Sequence, residues 1–213
     1  MGVPTTSTPG GIDRYHGEFD PAIGLTVNNL QRVGGMGQSV SALSNIVTQT
    51  IPDYLASSSL TLTAGTVFAV PIWLNDGEVV NNLSVITAVT AASTPTNQWA
   101  GLASFVEAPV CLATSADGLT TAIAADTLIT FALASAYTAT TAGFVYAYFC
   151  VAGTTGPTIA AAPTLTTHGR GAVGIDPPIG GLSGDTGKTT PYAVAGAIGE
   201  FTAAVAIPLV YVN

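Results

Sequence analysis

The segment Gly143-Phe-Val-Tyr-Ala-Tyr-Phe-Cys-Val-Ala152 is the most aromatic run of the chain, and it predicts a β-strand. Aromatic and β-branched residues favour the pleated surface of a strand, and helical periodicity is hardly visible here. Two interpretations stay open. One face could present aromatic rings or hydroxyls outward to sugar or protein. The strand could instead be buried on both faces, between two sheets or at a subunit interface, and this is the interpretation that we favour.

Further strands are predicted on the N-terminal side of this segment. Ser59 to Thr63 alternates polar and apolar residues, which is the period of a half-buried strand. More strand-like runs follow, namely Thr66 to Leu74, Val79 to Val89, Gln98 to Val106, Pro109 to Thr114 and Thr127 to Leu133. Short strands with turn signals between them predict an all-β fold, an antiparallel β-sandwich that is jelly-roll-like.

Turn and loop signals separate these runs. Ala64-Gly65 and Ala116-Asp117-Gly118 are short turn sequences, and Asn75-Asp76-Gly77-Glu78 is a strong one. Clusters of Gly, Asn and Asp mark turns because these residues tolerate left-handed backbone. Ser93-Thr94-Pro95-Thr96-Asn97 is interpreted as a loop that precedes the strand beginning at Gln98.

The composition divides the chain into four parts. Residues 1–57 form an extended N-terminal arm, within which Ser39 to Thr50 could form a short helix. Residues 58–162 form the sandwich domain. Residues 163–191 are a Gly- and Pro-rich connection, and residues 192–213 supply strands that complete the sandwich or an interface. An arm with little core of its own is expected to order on a partner surface.

Charge is scarce and unevenly placed. Charged residues make up 8% of the chain, the net charge is -8, and no lysine or arginine lies between Arg32 and Arg170. A long stretch without cations cannot neutralise phosphates, so nucleic acid and anionic membranes are not expected partners. The middle of the chain is suited to building a surface rather than to clamping an anionic substrate.

No membrane span or secretion signal is expected. The most apolar stretch, Tyr192 to Val212, is interrupted by Glu200, Pro208 and two glycines, whereas a spanning helix needs ~20 mostly apolar residues. The N-terminus lacks the basic and apolar regions of a signal peptide. These features predict a protein that is made in a cytoplasm and assembles there.

The two cysteines, Cys111 and Cys150, lie inside apolar runs. We interpret them as small buried hydrophobic residues. The alternative, a disulfide, would require neighbouring strands and an oxidising compartment. Their distance in sequence from each other and from both histidines does not fit the spacing of metal ligands.

Two glycine-containing stretches resemble phosphate or dinucleotide loops. Gly181 to Thr190 departs from the phosphate-loop spacing by one residue, and Pro191 follows where a helix should begin. Gly34-Gly35-Met36-Gly37 lacks the strand, the helix and the downstream acid of a dinucleotide site. We interpret the first as a solvated turn and the second as a hinge or tight turn.

His16 stands among Asp13, Glu18 and Asp20, which invites an acid–base or metal interpretation. Polar groups in a glycine-rich arm more often form a solvated turn or contact a neighbouring subunit. His168 has no acid close to it in sequence. We therefore expect no catalytic, cofactor-binding or metal-binding residue, no cofactor and no small-molecule substrate.

The remaining acids are few and mostly lie at predicted turns. Asp76 and Glu78 form a turn pair, whereas a calcium loop would need more acids at alternate positions. The nucleophile motif Gly-x-Ser-x-Gly does not occur. A carboxylate pair for glycoside hydrolysis stays open as a minor alternative, a hydrolase with a jelly-roll fold.

Several segments together resemble a known class of protein. They are Leu60-Thr-Leu-Thr-Ala-Gly-Thr-Val-Phe-Ala-Val-Pro-Ile-Trp-Leu74, Val79-Val-Asn-Asn-Leu-Ser-Val-Ile-Thr87, Trp99-Ala-Gly-Leu-Ala-Ser-Phe105 and Thr141-Ala-Gly-Phe-Val-Tyr-Ala-Tyr-Phe-Cys-Val-Ala-Gly153. In this order the chain is similar to β-sandwich domains on the virions of tailed bacteriophages, especially those that infect actinobacteria. Head decoration proteins, head fibres and minor tail proteins contain such domains. The resemblance is one of pattern and composition, over residues 58–162.

The resemblance implies a structural virion protein, not an enzyme, on the capsid exterior. It implies association with the major capsid protein and with itself, often as a trimer, and it carries no functional residues over. We expect residues 1–57 to bind the shell and the sandwich to self-associate. The alternative function is a tail-fibre or receptor-binding module that recognises cell-surface glycan through exposed tyrosines.

Overall fold

A computed structural model describes residues 48–51, 56–163, 181–201 and 203–213, with backbone alone for 203–205. All regular secondary structure among these residues is β-strand. The strands are β1 Thr48–Gln49, β2 Ser58–Thr61, β3 Val67–Leu74, β4 Val79–Ile86, β5 Ser93–Ser104, β6 Cys111–Thr114, β7 Leu128–Thr138, β8 Gly143–Thr155, β9 Thr158–Ala162, β10 Gly181–Ser183, β11 Ala203–Val205, β12 Ile207–Pro208 and β13 Val210–Val212. The all-β prediction is confirmed.

The strands form three antiparallel sheets. The largest has the order β11-β10-β3-β8-β5-β6, the second has the order β1-β13-β4-β7, and a small third one has the order β12-β9-β2. The aromatic strand β8 lies in the middle of the six-stranded sheet, between β3 and β5. Eight consecutive residues of β8, from Val145 to Ala152, are buried, so the strand is covered on both faces as expected.

The main core fills the space between the six-stranded and the four-stranded sheets. Alternate residues of β3 and β8, such as Ile72 and Phe149, face Leu83 on β4 and Phe131 on β7. These side chains are at most 8% exposed. This packing of two antiparallel sheets around one apolar layer is a β-sandwich.

A second core lies on the opposite face of the six-stranded sheet. Residues 184–201, which we call the cover segment, lie over this face and bring Tyr192, Ile198 and Phe201 against it. The sheet contributes the other alternate positions of its strands, among them Tyr146 and Tyr148. Because the sheet has apolar residues on both faces, the cover segment is needed to bury the outer one.

The backbone of the cover segment is bonded to the edge of β6. The amide of Cys111 donates to the carbonyl of Gly196 at 2.9 Å, and the amide of Ala195 donates to the carbonyl of Cys111 at 2.8 Å. The amide of Ile198 donates to the carbonyl of Pro109 at 2.8 Å. These bonds pair edge groups of β6 that would otherwise be open.

The turns at Ala64-Gly65 and at Asn75–Glu78 are confirmed. Gly77 has a φ of 76°, a conformation that glycine adopts at no steric cost. The predicted loop Ser93–Asn97 is wrong, because these residues begin β5 and pair with the far end of β8, Ser93 opposite Thr155. A register shift between Pro95 and Asn97 accommodates the proline within the ladder.

Other predicted bounds also change. Strand β7 continues to Thr138, beyond the predicted end at Leu133, and Gly181–Ser183 of the predicted connection forms β10. Of the predicted helix Ser39 to Thr50, Thr48–Gln49 form strand β1. The rest of that segment lies outside the described residues.

Candidate functional site

Three of the sequence motifs with a possible chemical role lie outside the described residues. These are His16 with Asp13, Glu18 and Asp20, the glycine cluster 34–37, and His168. Within the ranges that the structure describes, no group of three or more His, Cys, Asp or Glu side chains could hold a metal ion.

The stretch that resembles a phosphate loop has a structural role. Its first residues form β10, and its lysine is bound to its own acid, with Lys188 Nζ 3.1 Å from Asp185 Oδ2. Lys188 Nζ also lies 4.9 Å from the centre of the Tyr192 ring. Because a carboxylate and an aromatic face hold the ammonium group of Lys188, this group is not placed as the lysine of a phosphate loop would be.

Asp185 ties the cover segment together. The Tyr192 hydroxyl donates to its Oδ2 at 2.6 Å, and the amide of Gly199 donates to the same oxygen at 3.2 Å. Burial opposes ionisation of this carboxyl, but these hydrogen bonds and Lys188 outweigh it and hold its pKa below the ordinary value of 3.8. Burial, with the hydrogen bond to Asp185, raises the pKa of Tyr192.

Both cysteines are buried and free, as the sequence analysis favoured. Cys111 Sγ lies 3.2 Å from the Tyr148 hydroxyl oxygen. Burial raises the pKa of the Cys111 thiol and raises that of Cys150 to about 12. Since the thiolate is the reactive form, neither residue is suited to nucleophilic chemistry.

A row of aromatic rings crosses the outer face of the six-stranded sheet. It begins in the cover segment, where Phe201 packs against Tyr146 at a centroid distance of 5.1 Å. It continues from Tyr146 to Phe105 at 4.9 Å, from Phe105 to Phe144 at 5.3 Å, and from Phe144 to Trp73 at 5.0 Å. The row therefore passes from the buried core to the surface.

The surface end of this row is the largest group of exposed aromatic residues in the described part of the chain. Trp73 is 47% exposed and Phe144 is 46% exposed. Val106, which follows Phe105 in the sequence, is 48% exposed. We call Trp73, Phe105, Val106 and Phe144 the aromatic patch. Apolar clusters of this kind on a surface mark sites of contact with other molecules.

Polar contacts orient the tryptophan of the patch. Trp73 Nε1–H donates to Asn75 Oδ1 at 3.3 Å. Glu78 accepts from the backbone amide of Asn75 at 2.7 Å and from its side-chain amide at 3.1 Å. The indole edge is thereby attached to the turn after β3, and a pre-organised ring loses less entropy when a partner binds.

The exposed aromatic residues differ from those that the sequence indicated. Tyr146 and Tyr148 are fully buried, so they are not available to a ligand. Trp73 and Phe144 lie opposite each other on β3 and β8 at the end of the sheet. The sequence feature that could have identified Trp73 and Phe144 as exposed is their position at strand ends, next to turn residues.

The arrangement offers a contact surface at one end of the six-stranded sheet. Among the described residues there is no helix long and apolar enough to cross a bilayer. Comparison with known proteins found no protein-family model and no curated protein that matches this chain.

Proposed function

We propose that this chain is a structural protein of a tailed-bacteriophage virion, which binds the major capsid shell and associates with further copies of itself. The observation that supports this best is the order of its strands. Eight strands of the two large sheets form nested antiparallel pairs, namely β1 with β13, β3 with β8, β4 with β7, and β5 with β6.

These nested strand pairs are those of one long β-hairpin that is wound around itself. In chain order among these eight strands, the first pairs with the last, the second with the seventh, the third with the sixth and the fourth with the fifth. The remaining contacts, β13 with β4 and β5 with β8, join neighbouring turns of the winding. This pattern supports a jelly-roll arrangement, an architecture used by viral capsid and lectin domains.

The surface supports the same proposal. Lys188 is the only lysine or arginine among the described residues, and it is engaged with Asp185. A net charge of -8 keeps such a chain soluble, and its acids disfavour adhesion to nucleic acid. In this proposal the protein stands on the capsid exterior, is assembled in the host cytoplasm, and needs no cofactor or small-molecule substrate.

The proposed assembly is a homotrimer. Sedimentation equilibrium of the purified chain should give three times the 21.3 kDa mass of one chain. A mass of one chain that is constant over the whole concentration range would contradict self-association, although shell binding would remain to be measured.

Virion composition tests the function itself. Virions of the phage or prophage that carries the gene would be purified and digested, and their proteins quantified by mass spectrometry. The proposal requires this chain in a constant ratio to the major capsid protein. Virions that lack the chain in a host that expresses it would contradict the proposal.

The second candidate function is a tail-fibre or receptor-binding module for host glycan. The exposed indole of Trp73 favours it, because an aromatic ring with a polar edge is a common contact element of binding surfaces. The tyrosines of β8 do not support it, since they are buried. Glycan binding by the full chain that is lost in Trp73→Ala would favour this function.

A further inference from the structure

The aromatic patch lies among carboxylates. Asp76 and Glu78 belong to the turn that follows Trp73, and Glu78 is joined to Trp73 through Asn75. Glu107 follows Phe105 by two residues in the same exposed bend as Val106. Acids therefore adjoin the patch after two of the three strands that bring it to the surface, β3 and β5.

No lysine or arginine among the described residues lies near Asp76 or Glu107. Lys188 is bonded through its backbone amide to the carbonyl of Gly65, at the opposite end of β3. With a rise of about 3.3 Å per residue along a strand, the backbone of Lys188 lies roughly 25 Å from Trp73. The described part of the chain thus supplies no cation to Asp76 or Glu107.

We propose that the aromatic patch is the docking site for a protein segment that carries Lys or Arg side chains. Guanidinium and ammonium groups stack on aromatic faces, most favourably on tryptophan. The neighbouring carboxylates complement the same groups, and apolar residues of the segment cover Val106 and Phe105. Aromatic anchors with complementary charge around them are the usual centre of a protein interface.

Charge complementarity distinguishes this partner from two others. A second copy of the chain that brought its own patch to this one would place like charges opposite each other, which disfavours contact. A neutral glycan could stack on Trp73 but would gain nothing from the charge of Asp76 and Glu107. The inference does not depend on a virion role, because it concerns only the chemistry of the partner.

Blocked synthetic peptides test the proposal on the full chain. The first peptide carries two arginines separated by leucine and glycine, and two matched peptides carry glutamine or glutamate in place of arginine. Chitohexaose and maltohexaose are the glycan probes. Affinity is measured by calorimetry, and the fluorescence of Trp73 locates the contact, since the other tryptophan, Trp99, is fully buried.

Two double variants measure the contributions of the rings and of the charges to binding separately. Trp73→Ala with Phe144→Ala removes the rings, and Asp76→Asn with Glu107→Gln removes charge while keeping shape. Asp126→Asn is the matched control, because Asp126 is exposed and bonds to Ala88 at the opposite end of β4. Its φ of 49° is one that asparagine also adopts. Thermal unfolding of each variant checks the fold.

The proposal predicts that the arginine peptide binds about tenfold more tightly than the glutamine peptide and loses affinity as salt is added. The charge variant should bind it about three- to tenfold more weakly, the ring variant should not bind it, and Asp126→Asn should bind it unchanged. Four outcomes would overturn the proposal: no binding of the arginine peptide, equal binding of the glutamine peptide, binding of a glycan probe alone, or self-association that the ring variant abolishes.

Discussion

At the scale of single residues, Asp185 joins separate parts of the cover segment to one another. One carboxylate oxygen accepts hydrogen bonds from Tyr192 and Gly199 and pairs with Lys188. Tyr192 and Lys188 precede the turn at residues 194–195 and Gly199 follows it, so the Asp185 side chain joins the two sides of this turn. Hydrogen bonds to a charged group contribute about 1.5–3 kcal/mol to stability, more than neutral ones.

Replacing Asp185 with Asn is therefore predicted to lower the free energy of unfolding by about 1–3 kcal/mol at neutral pH. The pKa of the folded-state carboxyl lies below the ordinary value of 3.8, so its stabilisation is fully present above that pH and is lost as the pH falls through the lower, folded-state pKa. The difference between wild type and variant should shrink below about pH 4. Urea unfolding across a pH series measures it.

Asp126→Asn serves as the control for this series, because an exposed substitution away from such contacts changes stability by less than about 0.5 kcal/mol. Asp117, whose pKa is also lowered, titrates in both proteins and cancels in the comparison. A difference between wild type and Asp185→Asn that is constant down to pH 2 or so would contradict the role given to the carboxylate.

Both thiols are predicted to resist alkylation in the native protein. Cys111 is 1% exposed and Cys150 is fully buried. Burial raises the pKa of each, so thiolate is scarce at neutral pH. Iodoacetamide followed by intact-mass measurement should show no modification in buffer while free cysteine reacts completely, and two modifications per chain in guanidinium. Rapid native labelling of either thiol would be inconsistent with the packing of the outer core.

At the scale of elements, the close contact between β5 and its neighbours depends on Gly101. A Cβ at this position would meet the carbonyl oxygen of Ala113 and the ring of Tyr148. Gly101→Ala should therefore lower the free energy of unfolding by about 1–3 kcal/mol through overpacking. Denaturant unfolding measures the change.

Gly143 on β8 provides the matched control, since no atom lies within 4 Å of a Cβ built there. Gly143→Ala should leave stability unchanged or raise it by up to about 1 kcal/mol, because it restricts the unfolded chain. If both substitutions cost the same, the effect would come from the strand backbone and not from the contact with Tyr148.

Local patterns predicted much of these elements but not their pairing. The aromatic content of β8 indicated a strand covered on both faces, and Asn75–Glu78 indicated a turn, because each signal is contained in a few adjacent residues. The loop assigned to Ser93–Asn97 was wrong because only the partner strand, β8, shows that this Pro-containing stretch is paired. Strand β10 was missed because three residues are too few to show the alternation of polar and apolar side chains that indicates a strand.

The aromatic patch could be predicted only in part. Trp73 and Phe144 occupy the same alternating positions as buried residues of their strands, such as Ala69 and Tyr148. What exposes them is the extent of the cover segment, whose last core side chain, Phe201, reaches Tyr146. That extent depends on tertiary packing, which no spacing within β3 or β8 encodes.

At the scale of the whole molecule, we propose that the N-terminal arm, residues 1–57, binds the shell, although its strand β1 belongs to the sandwich. Strand β1 pairs with β13, so a deletion that tests this role should end at residue 47 and leave Thr48–Gln49 in place. The shortened chain is predicted to keep a cooperative thermal transition and to lose binding to empty shells. Full occupancy of the shells by this variant would show that the anchor lies in the sandwich.

The central claim is that this chain attaches to a viral shell, and co-sedimentation tests it most directly. Empty shells would be assembled from the major capsid protein of the phage or prophage that carries the gene and centrifuged with increasing amounts of the full chain. We expect binding to saturate at a constant number of chains per shell subunit. A chain that stays in the supernatant at every concentration, while remaining folded, would contradict it.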